Sequence, residues 1–150
     1  MISLEDIAIQ VADRQEQPVT APVTANVMAL LHEITTLLRA LLDTGAVDSI
    51  DLRSLPLLPG EYEALKLILG EGEVSVSINT LGGSQIYETR IAGVWWVSHD
   101  DESGERLAEF IEVTRMPEIM KSDRLDIEDA CAALQQQLGE WREQDLVTRS

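Results

Sequence analysis

The spacing of apolar residues changes near Gly72, and this change constrains the fold more than any other feature of the chain. Before it, apolar side chains recur every three or four residues in two segments, as on the buried side of an amphipathic helix. After it, apolar and polar residues alternate up to about residue 115, as in half-buried strands. A last helical pattern follows, so we expect an α+β domain.

Three helices are predicted. The first begins near Val23 and is ended by Gly45, and the second begins at Pro59 and is ended by Gly70 or Gly72. The third is predicted to follow an Asp126 cap and to bury an inner stripe that consists of Ile127, Ala130, Cys131, Leu134, Leu138 and Trp141. Cys131 is the only cysteine, which excludes an internal disulfide, and its place in this stripe predicts a buried thiol.

The alternating region predicts strands at about 73–79, 85–98 and 105–115, and residues 48–55 could add an edge strand or form an extended loop. Short connections favour antiparallel pairing of neighbours. The predicted fold is therefore α+β, with a three- to four-stranded antiparallel meander and about three helices packed largely on one face. Residues 1–20 are predicted to be a flexible N-terminal arm, and 21–150 a single domain.

The two neighbouring tryptophans should point to opposite faces of the sheet, because side chains alternate along a strand. We predict that the helices cover the face that contains Val74, Val76, Ile78, Ile91, Trp95, Leu107, Ile111 and Val113. The opposite face would then carry Trp96 together with Ser75, Ser77, Glu88, Arg90, Phe110 and Glu112.

Aromatic and arginine side chains on a half-polar face are typical of protein recognition. We therefore predict a protein interface formed by Trp96, Arg90, Glu88, Phe110 and Glu112. The alternative is that Trp96 packs under the N-terminal arm or in a homodimer.

The charge balance narrows the choice of partners. Twenty-seven acidic residues against 11 basic ones give a net charge of −16, which repels phosphate groups. Nucleic acid and membranes are therefore not expected partners. The first residues lack the basic start of a secretory signal, and the longest uncharged run, Gln17 to Leu31, is too short to span a bilayer, so a cytoplasmic location is expected.

Several segments approach a catalytic motif without completing it. His32 and Glu33 begin a zinc-protease helix motif, but Thr36 stands where the second metal ligand is required. Ser98, His99 and Asp100 are adjacent in a strand, so they cannot align as a catalytic triad. We predict neither an enzyme nor a resident metal or cofactor.

One alternative stays open, which is a delivery protein that binds nickel weakly through His99 and the neighbouring acids Asp100, Asp101, Glu102 and Glu105.

The segment from Leu55 to Glu61, the block Glu-Thr-x-x-x-Gly-x-Trp-Trp at residues 88–96, and the later Ile111-Glu112-Val113 and Pro117 form a recognisable series. The series resembles the conserved C-terminal region of the HupH/HyaF family, accessory proteins for maturation of nickel-iron uptake hydrogenases. The resemblance covers about residues 50–120, and its matched positions are Glu88, Thr89, Gly93, Trp95 and Trp96.

The resemblance implies a cytoplasmic assembly factor or chaperone that binds a hydrogenase subunit precursor, or other maturation proteins, without performing chemistry. Family members are commonly longer and carry this region twice. One copy is found here, so action as a homodimer stays open.

Overall fold

The computed structural model describes residues 23–150, so the predicted arm at 1–20 lies outside the described residues. The chain divides into two compact units, one up to Val113 and the other Thr114–Ser150, and each is described by itself. The elements are α1 (Ala25–Thr44), β1 (Asp48–Asp51), α2 (Pro59–Leu69), β2 (Ser75–Ile78), β3 (Ser84–Glu88), β4 (Val94–Asp100), β5 (Arg106–Val113) and α3 (Arg124–Thr148), with 3₁₀ turns at Leu52–Ser54 and Glu118–Met120. The prediction of a single domain over 21–150 stays a prediction.

The first unit contains a five-stranded antiparallel sheet with the strand order β1-β5-β4-β3-β2. Successive hairpins join β2 to β5, as expected for a meander. The weakly alternating segment at 48–55 contributes β1, which pairs Ile50 with Ile111 on the outer side of β5. The α+β class is thus confirmed, and the sheet has five strands rather than three or four.

The predicted long strand at 85–98 is wrong, because the chain folds back on itself within it. β3 ends at Glu88, a turn follows over residues 89–93, and β4 begins at Val94. Gly93 has φ 82°, a left-handed conformation that glycine adopts without steric cost, and it lies at the end of this turn. Gly93 therefore helps to make a hairpin.

Helix α1 is held at its start by Thr24, whose side chain accepts a hydrogen bond from the Val27 amide, and it ends at Gly45 as predicted. By length and composition it is the one helix among the described residues that could cross a membrane, a criterion that core helices also meet. Its inner side contributes Val27, Leu30 and Ile34 to the core.

The core lies between the sheet and the two helices α1 and α2. Its buried members are Leu30, Ile34, Ile50, Leu52, Leu65, Leu69, Val94, Trp96 and Ile111. Both helices thus cover the same sheet face, as the prediction of helices on one face requires.

The predicted membership of the covered face is correct in part. Ile111 and Val113 are buried there, whereas Val76, Ile78 and Trp95 belong to the opposite face by their cross-strand pairing. Val74, Ile91 and Leu107 are exposed. Val74 and Ile91 also lie outside the strands, where alternation no longer determines the face.

Helix α3 begins earlier than predicted. Asp123, not Asp126, caps it by accepting a hydrogen bond from the Leu125 amide at 2.8 Å. None of its side chains is buried, and Cys131 is exposed. The predicted inner stripe and the buried thiol are therefore wrong, although the helix itself is present.

One buried carboxylate joins the starts of α1 and α2. Glu61 Oε1 accepts hydrogen bonds from Thr24 Oγ1 at 2.6 Å and Asn26 Nδ2 at 3.2 Å, and Oε2 accepts one from the Leu58 amide at 3.1 Å. The Thr24 hydroxyl and then the Leu58 amide hold the pKa of Glu61 below its ordinary value of 4.5, against the opposing effect of burial. The ionised form of Glu61 thus ties the two helices together.

We expect this tie to weaken in acid. Because the pKa of Glu61 is lowered in the folded state, its stabilisation is complete above pH 4.5 and is lost as the pH falls through the folded value. The substitution Glu61→Gln should lower the unfolding free energy at neutral pH, and the difference from the wild type should shrink on acidification. Urea unfolding at a series of pH values measures both effects.

The matched control is Glu63→Gln, on the exposed side of the same helix, which should leave the urea midpoint almost unchanged. A difference between wild type and Glu61→Gln that stays constant from neutral pH to pH 3 would contradict the role of the ionised carboxylate.

Candidate functional site

The Glu-Thr-x-x-x-Gly segment builds the hairpin between β3 and β4, and we call residues 89–93 the motif turn. The Thr89 amide donates to the Val94 carbonyl at 2.9 Å, and the Val94 amide donates to the Ile91 carbonyl at 3.0 Å. The buried Thr89 hydroxyl accepts from the Ile91 amide at 3.1 Å, and Glu88 Oε1 accepts from the Gly93 amide at 3.1 Å. Glu88, Thr89 and Gly93 therefore have structural roles in this chain.

The motif turn is attached to the end of α2. The Arg90 amide donates to the Leu69 carbonyl at 2.9 Å, and its guanidinium donates to the Leu67 carbonyl at 3.1 Å. The Gly72 amide donates to the Glu88 carbonyl at 2.7 Å. Arg90 thus places a positive charge at the negative end of the helix dipole, while Gly70 leaves room for its side chain.

The fold-back exchanges the faces of the two tryptophans. Tyr87 pairs with Trp96 and Glu88 pairs with Trp95, so Trp96 faces the helices and Trp95 the opposite side. A continuous strand would have kept Glu88 and Trp96 on one face, but the hairpin inverts the relation between even and odd positions. The predicted face of Trp96 is therefore wrong, and the residue is only 2% exposed.

Trp96 forms the centre of an aromatic group in the core. Its ring meets Tyr62 edge-on at 5.6 Å between centroids and stacks on Tyr87 at 6.3 Å. Lys66 Nζ lies 5.6 Å from the ring centroids of both Tyr62 and Trp96. Trp96 thus supports α2 and does not form part of the accessible surface.

The remaining predicted interface residues, apart from Arg90, share the sheet face of Trp95. Trp95 pairs with Glu112 on β5 and with Glu88 on β3, and Val97 pairs with Phe110 on β5. Trp95 is buried there and Glu112 is half-buried, and burial raises the pKa of Glu112 while nearby His99 opposes that rise. The structure brings Glu88, Phe110 and Glu112 together as predicted, and their interface role stays a prediction.

Arg90 instead borders an open depression at the end of α2, which we call the α2-end depression. It has a volume of about 370 Å³ and is lined by Glu63, Lys66, Leu67, Gly70, Glu71, Tyr87 and Arg90. Within the part of the chain that the structure describes, its four charged side chains form no ion pairs with one another or with other residues. They remain available to charged groups of a partner.

The Tyr87 side chain gives the α2-end depression an aromatic wall. Burial, reinforced by the negative charge of Glu71, raises the pKa of Tyr87 to about 12, so its hydroxyl stays protonated at neutral pH. A neutral hydroxyl can donate a hydrogen bond to a carbonyl or carboxylate, and the adjoining lysine and arginine favour an acceptor with negative charge.

A second concave surface lies between α1 and the extended segment before α2. This groove has a volume of about 180 Å³ and is lined mainly by apolar groups, from Asn26, Ala29, Leu30, Glu33, Leu55, Pro56 and Leu57. It could accept one apolar side chain of a partner, with the Glu33 carboxylate at its edge.

The histidine and two of the four acids of the nickel alternative have other hydrogen-bond partners. His99 Nδ1 lies 2.7 Å from Ser84 Oγ, and Asp100 pairs with Arg106. Asp101 Oδ1 accepts from the Ser103 hydroxyl at 2.6 Å and the Glu105 amide at 2.9 Å, which lowers its pKa. Residues 23–150 contain no group of three or more histidine, cysteine or acidic side chains placed to hold a metal ion.

Sequence reasoning missed a buried polar group under α2. Glu109 is 3% exposed and pairs with Arg106, and burial together with the Glu109 carboxylate raises the pKa of Tyr62. A signal was present, because Glu109 interrupts the alternation of Leu107, Ile111 and Val113 that indicates an inward face.

We expect Trp96→Ala to cost about 3–5 kcal/mol of unfolding free energy, because it leaves a large cavity between sheet and helix. Urea unfolding measures the loss. Leu42→Ala, at a residue that is 78% exposed, is the control and should change the unfolding free energy by about 0.5 kcal/mol or less. A cost for Trp96→Ala as small as that of the control would place this tryptophan outside the core.

The motif turn makes a separate prediction. Gly93→Ala forces a side chain into a left-handed conformation and should cost about 1–2 kcal/mol. Gly60→Ala is the control, because Gly60 lies in the first turn of α2 with open space around it and should tolerate alanine or gain stability from it. Equal urea midpoints for the two variants would show that the turn does not need glycine.

Comparison with known proteins identifies the family. The model of the family described as "HupH hydrogenase expression protein, C-terminal conserved region" matches residues 24–141, a wider range than the predicted 50–120. A solved structure, hydrogenase expression protein HupH from Thiobacillus denitrificans ATCC 25259, is 43% identical with a TM-score of 0.75 and matches over 79% of this chain and 99% of that one.

Two curated relatives carry related names. The hydrogenase expression/formation protein HupH of Rhodobacter capsulatus is 33% identical over 94 residues, which are 63% of this chain and 34% of that protein. The hydrogenase expression/formation protein HoxQ of Azotobacter vinelandii is 36% identical over 61 residues, 41% of this chain and 22% of that protein. The chain thus spans about a third or less of these relatives. Since the family model covers most of its length, this chain belongs to the HupH hydrogenase expression protein family, through the C-terminal conserved region.

Proposed function

We propose that this chain is a non-catalytic accessory factor in the maturation of a nickel-iron hydrogenase. It would bind another polypeptide, either a precursor of a hydrogenase subunit or another maturation protein, in the cytoplasm. The names of its relatives, hydrogenase expression or formation proteins, support the process. The α2-end depression, in which charged side chains without ion pairs lie beside the aromatic ring of Tyr87, supports the mode of action.

The chemistry of the depression suits a polypeptide partner. Lys66 and Arg90 can donate hydrogen bonds to a carboxylate or carbonyl of the partner. Glu63 and Glu71 can accept hydrogen bonds from an amine or guanidinium, and the Tyr87 hydroxyl can donate one. Arginine and tyrosine are among the residues that contribute most to binding energy at protein interfaces. Both signs of charge within one open surface favour a segment that also carries both signs.

The roles of the carboxylates whose pKa is shifted support the non-catalytic part of the proposal. The two acids whose pKa is lowered, Glu61 and Asp101, hold a helix junction and a turn through hydrogen bonds. Glu112 has its pKa raised by burial on the sheet face opposite the helices, away from the α2-end depression. None of the three belongs to a nucleophile and base arrangement among the described residues.

We expect the double variant Lys66→Ala/Arg90→Ala to capture about tenfold less hydrogenase precursor or maturation protein in co-purification. Tenfold corresponds to about 1.4 kcal/mol, a modest loss for two contact residues. Arg90 also caps α2, so far-UV circular dichroism and the urea midpoint must show that the variant is folded.

The matched control is Arg39→Ala/Lys121→Ala, which removes the same charges from exposed positions elsewhere. The control should capture the partner as well as the wild type does. Equal capture by both double variants would overturn the assignment of binding to the α2-end depression.

A further inference from the structure

The inference concerns the outer edge of the sheet at β2. The strand order ends at β2, which pairs with β3 only. The Glu88 amide donates to the Val74 carbonyl at 2.9 Å, so the backbone groups of even-numbered residues in this segment point to β3. Because these directions alternate along an antiparallel strand, the amide and carbonyl groups of Ser75 and Ser77 point outward. They bond to no residue of the range 23–150, which leaves a row of unpaired backbone groups.

The two edges of the sheet are protected to different degrees. β1, at the opposite edge, carries Asp48 and Asp51, and charges of this kind keep other strands from pairing with an edge. β2 consists of Ser75–Ile78 and contains neither a charged residue nor a proline. Its half-buried Val76 and Ile78 can pack against apolar side chains at alternate positions of an added strand. β2 is therefore the edge to which an extended segment of another polypeptide can be added.

The charges beside the start of β2 select the segment that is added. An open depression at this end, which we call the β2-start depression, has a volume of about 450 Å³. It is lined by the carboxylates of Glu71, Glu73 and Glu88 and by one basic residue, Arg90, whose guanidinium donates to the Leu67 carbonyl. Within the described range, Glu71 and Glu73 form no ion pair. A basic side chain is the complement of this end of the strand, and the net charge of −16 favours it further.

We propose that β2 receives an extended basic segment of a partner polypeptide as an additional strand, with its lysine or arginine side chain in the β2-start depression. Antiparallel addition continues the pairing found throughout the sheet. An antiparallel segment ends beside the start of β2, so its basic residue follows its extended part in the sequence. The proposal does not depend on the proposed role in hydrogenase maturation.

The first test uses three synthetic peptides with acetylated and amidated ends: Thr-Val-Thr-Val-Thr-Lys-Arg, Lys-Arg-Thr-Val-Thr-Val-Thr and Thr-Val-Thr-Val-Thr-Glu-Glu. The first should bind with a dissociation constant of about 0.1 mM. At about 1 mM it should then slow the exchange of the Ser75 and Ser77 amide hydrogens about tenfold, measured by NMR. The second should bind at least roughly tenfold more weakly, because only parallel addition would place its basic end in the depression, and the third should not slow the exchange.

The second test blocks the edge itself. Ser75→Pro removes an outward N–H group and leaves the hydrogen bonds from β2 to β3 in place, so it should weaken binding of the first peptide at least roughly tenfold. Ser49→Pro is the matched control, because Ser49 is an exposed residue of the opposite edge strand, and it should bind this peptide like the wild type. Far-UV circular dichroism and the urea midpoint must show that both variants are folded.

The third test changes the charge and leaves the edge intact. Glu73→Lys should weaken binding of the first peptide by about tenfold, because it places a like charge beside the basic end of the peptide. Asp43→Lys makes the same change in net charge at an exposed position near the end of α1. This control should weaken binding by about twofold or less, since the site is distant and screened by salt.

Four results would overturn the proposal. The first is unchanged exchange at Ser75 and Ser77 with all three peptides, and the second is equal binding of the first peptide to Ser75→Pro and the wild type. Stronger binding of the peptide that begins with Lys-Arg would contradict antiparallel addition. Exchange at Ser75 and Ser77 that slows with rising protein concentration, without any peptide, would show that a second copy of this chain occupies the edge.

Discussion

The position of Trp96 between the sheet and α2 is the constraint on which the rest of the first unit depends. The indole can point to the helices only if the chain turns back between Glu88 and Val94, because that reversal sets which residues of β4 face inward. Once the ring is in place, Tyr62 and Tyr87 pack on it from the helix and from the neighbouring strand. One turn of five residues thereby determines the packing of α2, β3 and β4.

The same turn connects the fold to the candidate site. Its backbone and the Arg90 side chain complete the hydrogen bonding at the end of α2, where the helix would otherwise leave carbonyl groups unpaired. The α2-end depression exists because the turn and the helix end meet there, with Tyr87 as a shared wall. Glu88, Thr89 and Gly93 support the site without lining it, and Arg90 is the residue of the motif turn that forms part of its surface.

The sequence predicts well which segments are helices and strands, but it predicts poorly which side chains lie on which face of the sheet. Helix periods and capping residues are local, so α1, α2 and the α+β class follow from them directly. The sheet faces of Trp95 and Trp96 depend on whether the even- or the odd-numbered residues of β4 point to the helices. The short turn that ends at Gly93 reverses this relation between β3 and β4. The spacing of apolar residues along α3 indicates that the helix has one apolar side. A local pattern does not show what packs against that side. The α2-end depression depends on tertiary contact between the end of α2 and the motif turn, which no local pattern contains.

The residues of the motif turn differ in how much the shape of the turn depends on them. Glu88, Thr89 and Gly93 satisfy the backbone of the turn, whereas Ile91 and Ala92 point to solvent at its tip. Side chains at the tip can therefore be exchanged without loss of the loop's shape. Because Arg90 is held by the end of α2 and not by the tip, a change of tip residues should leave the α2-end depression intact.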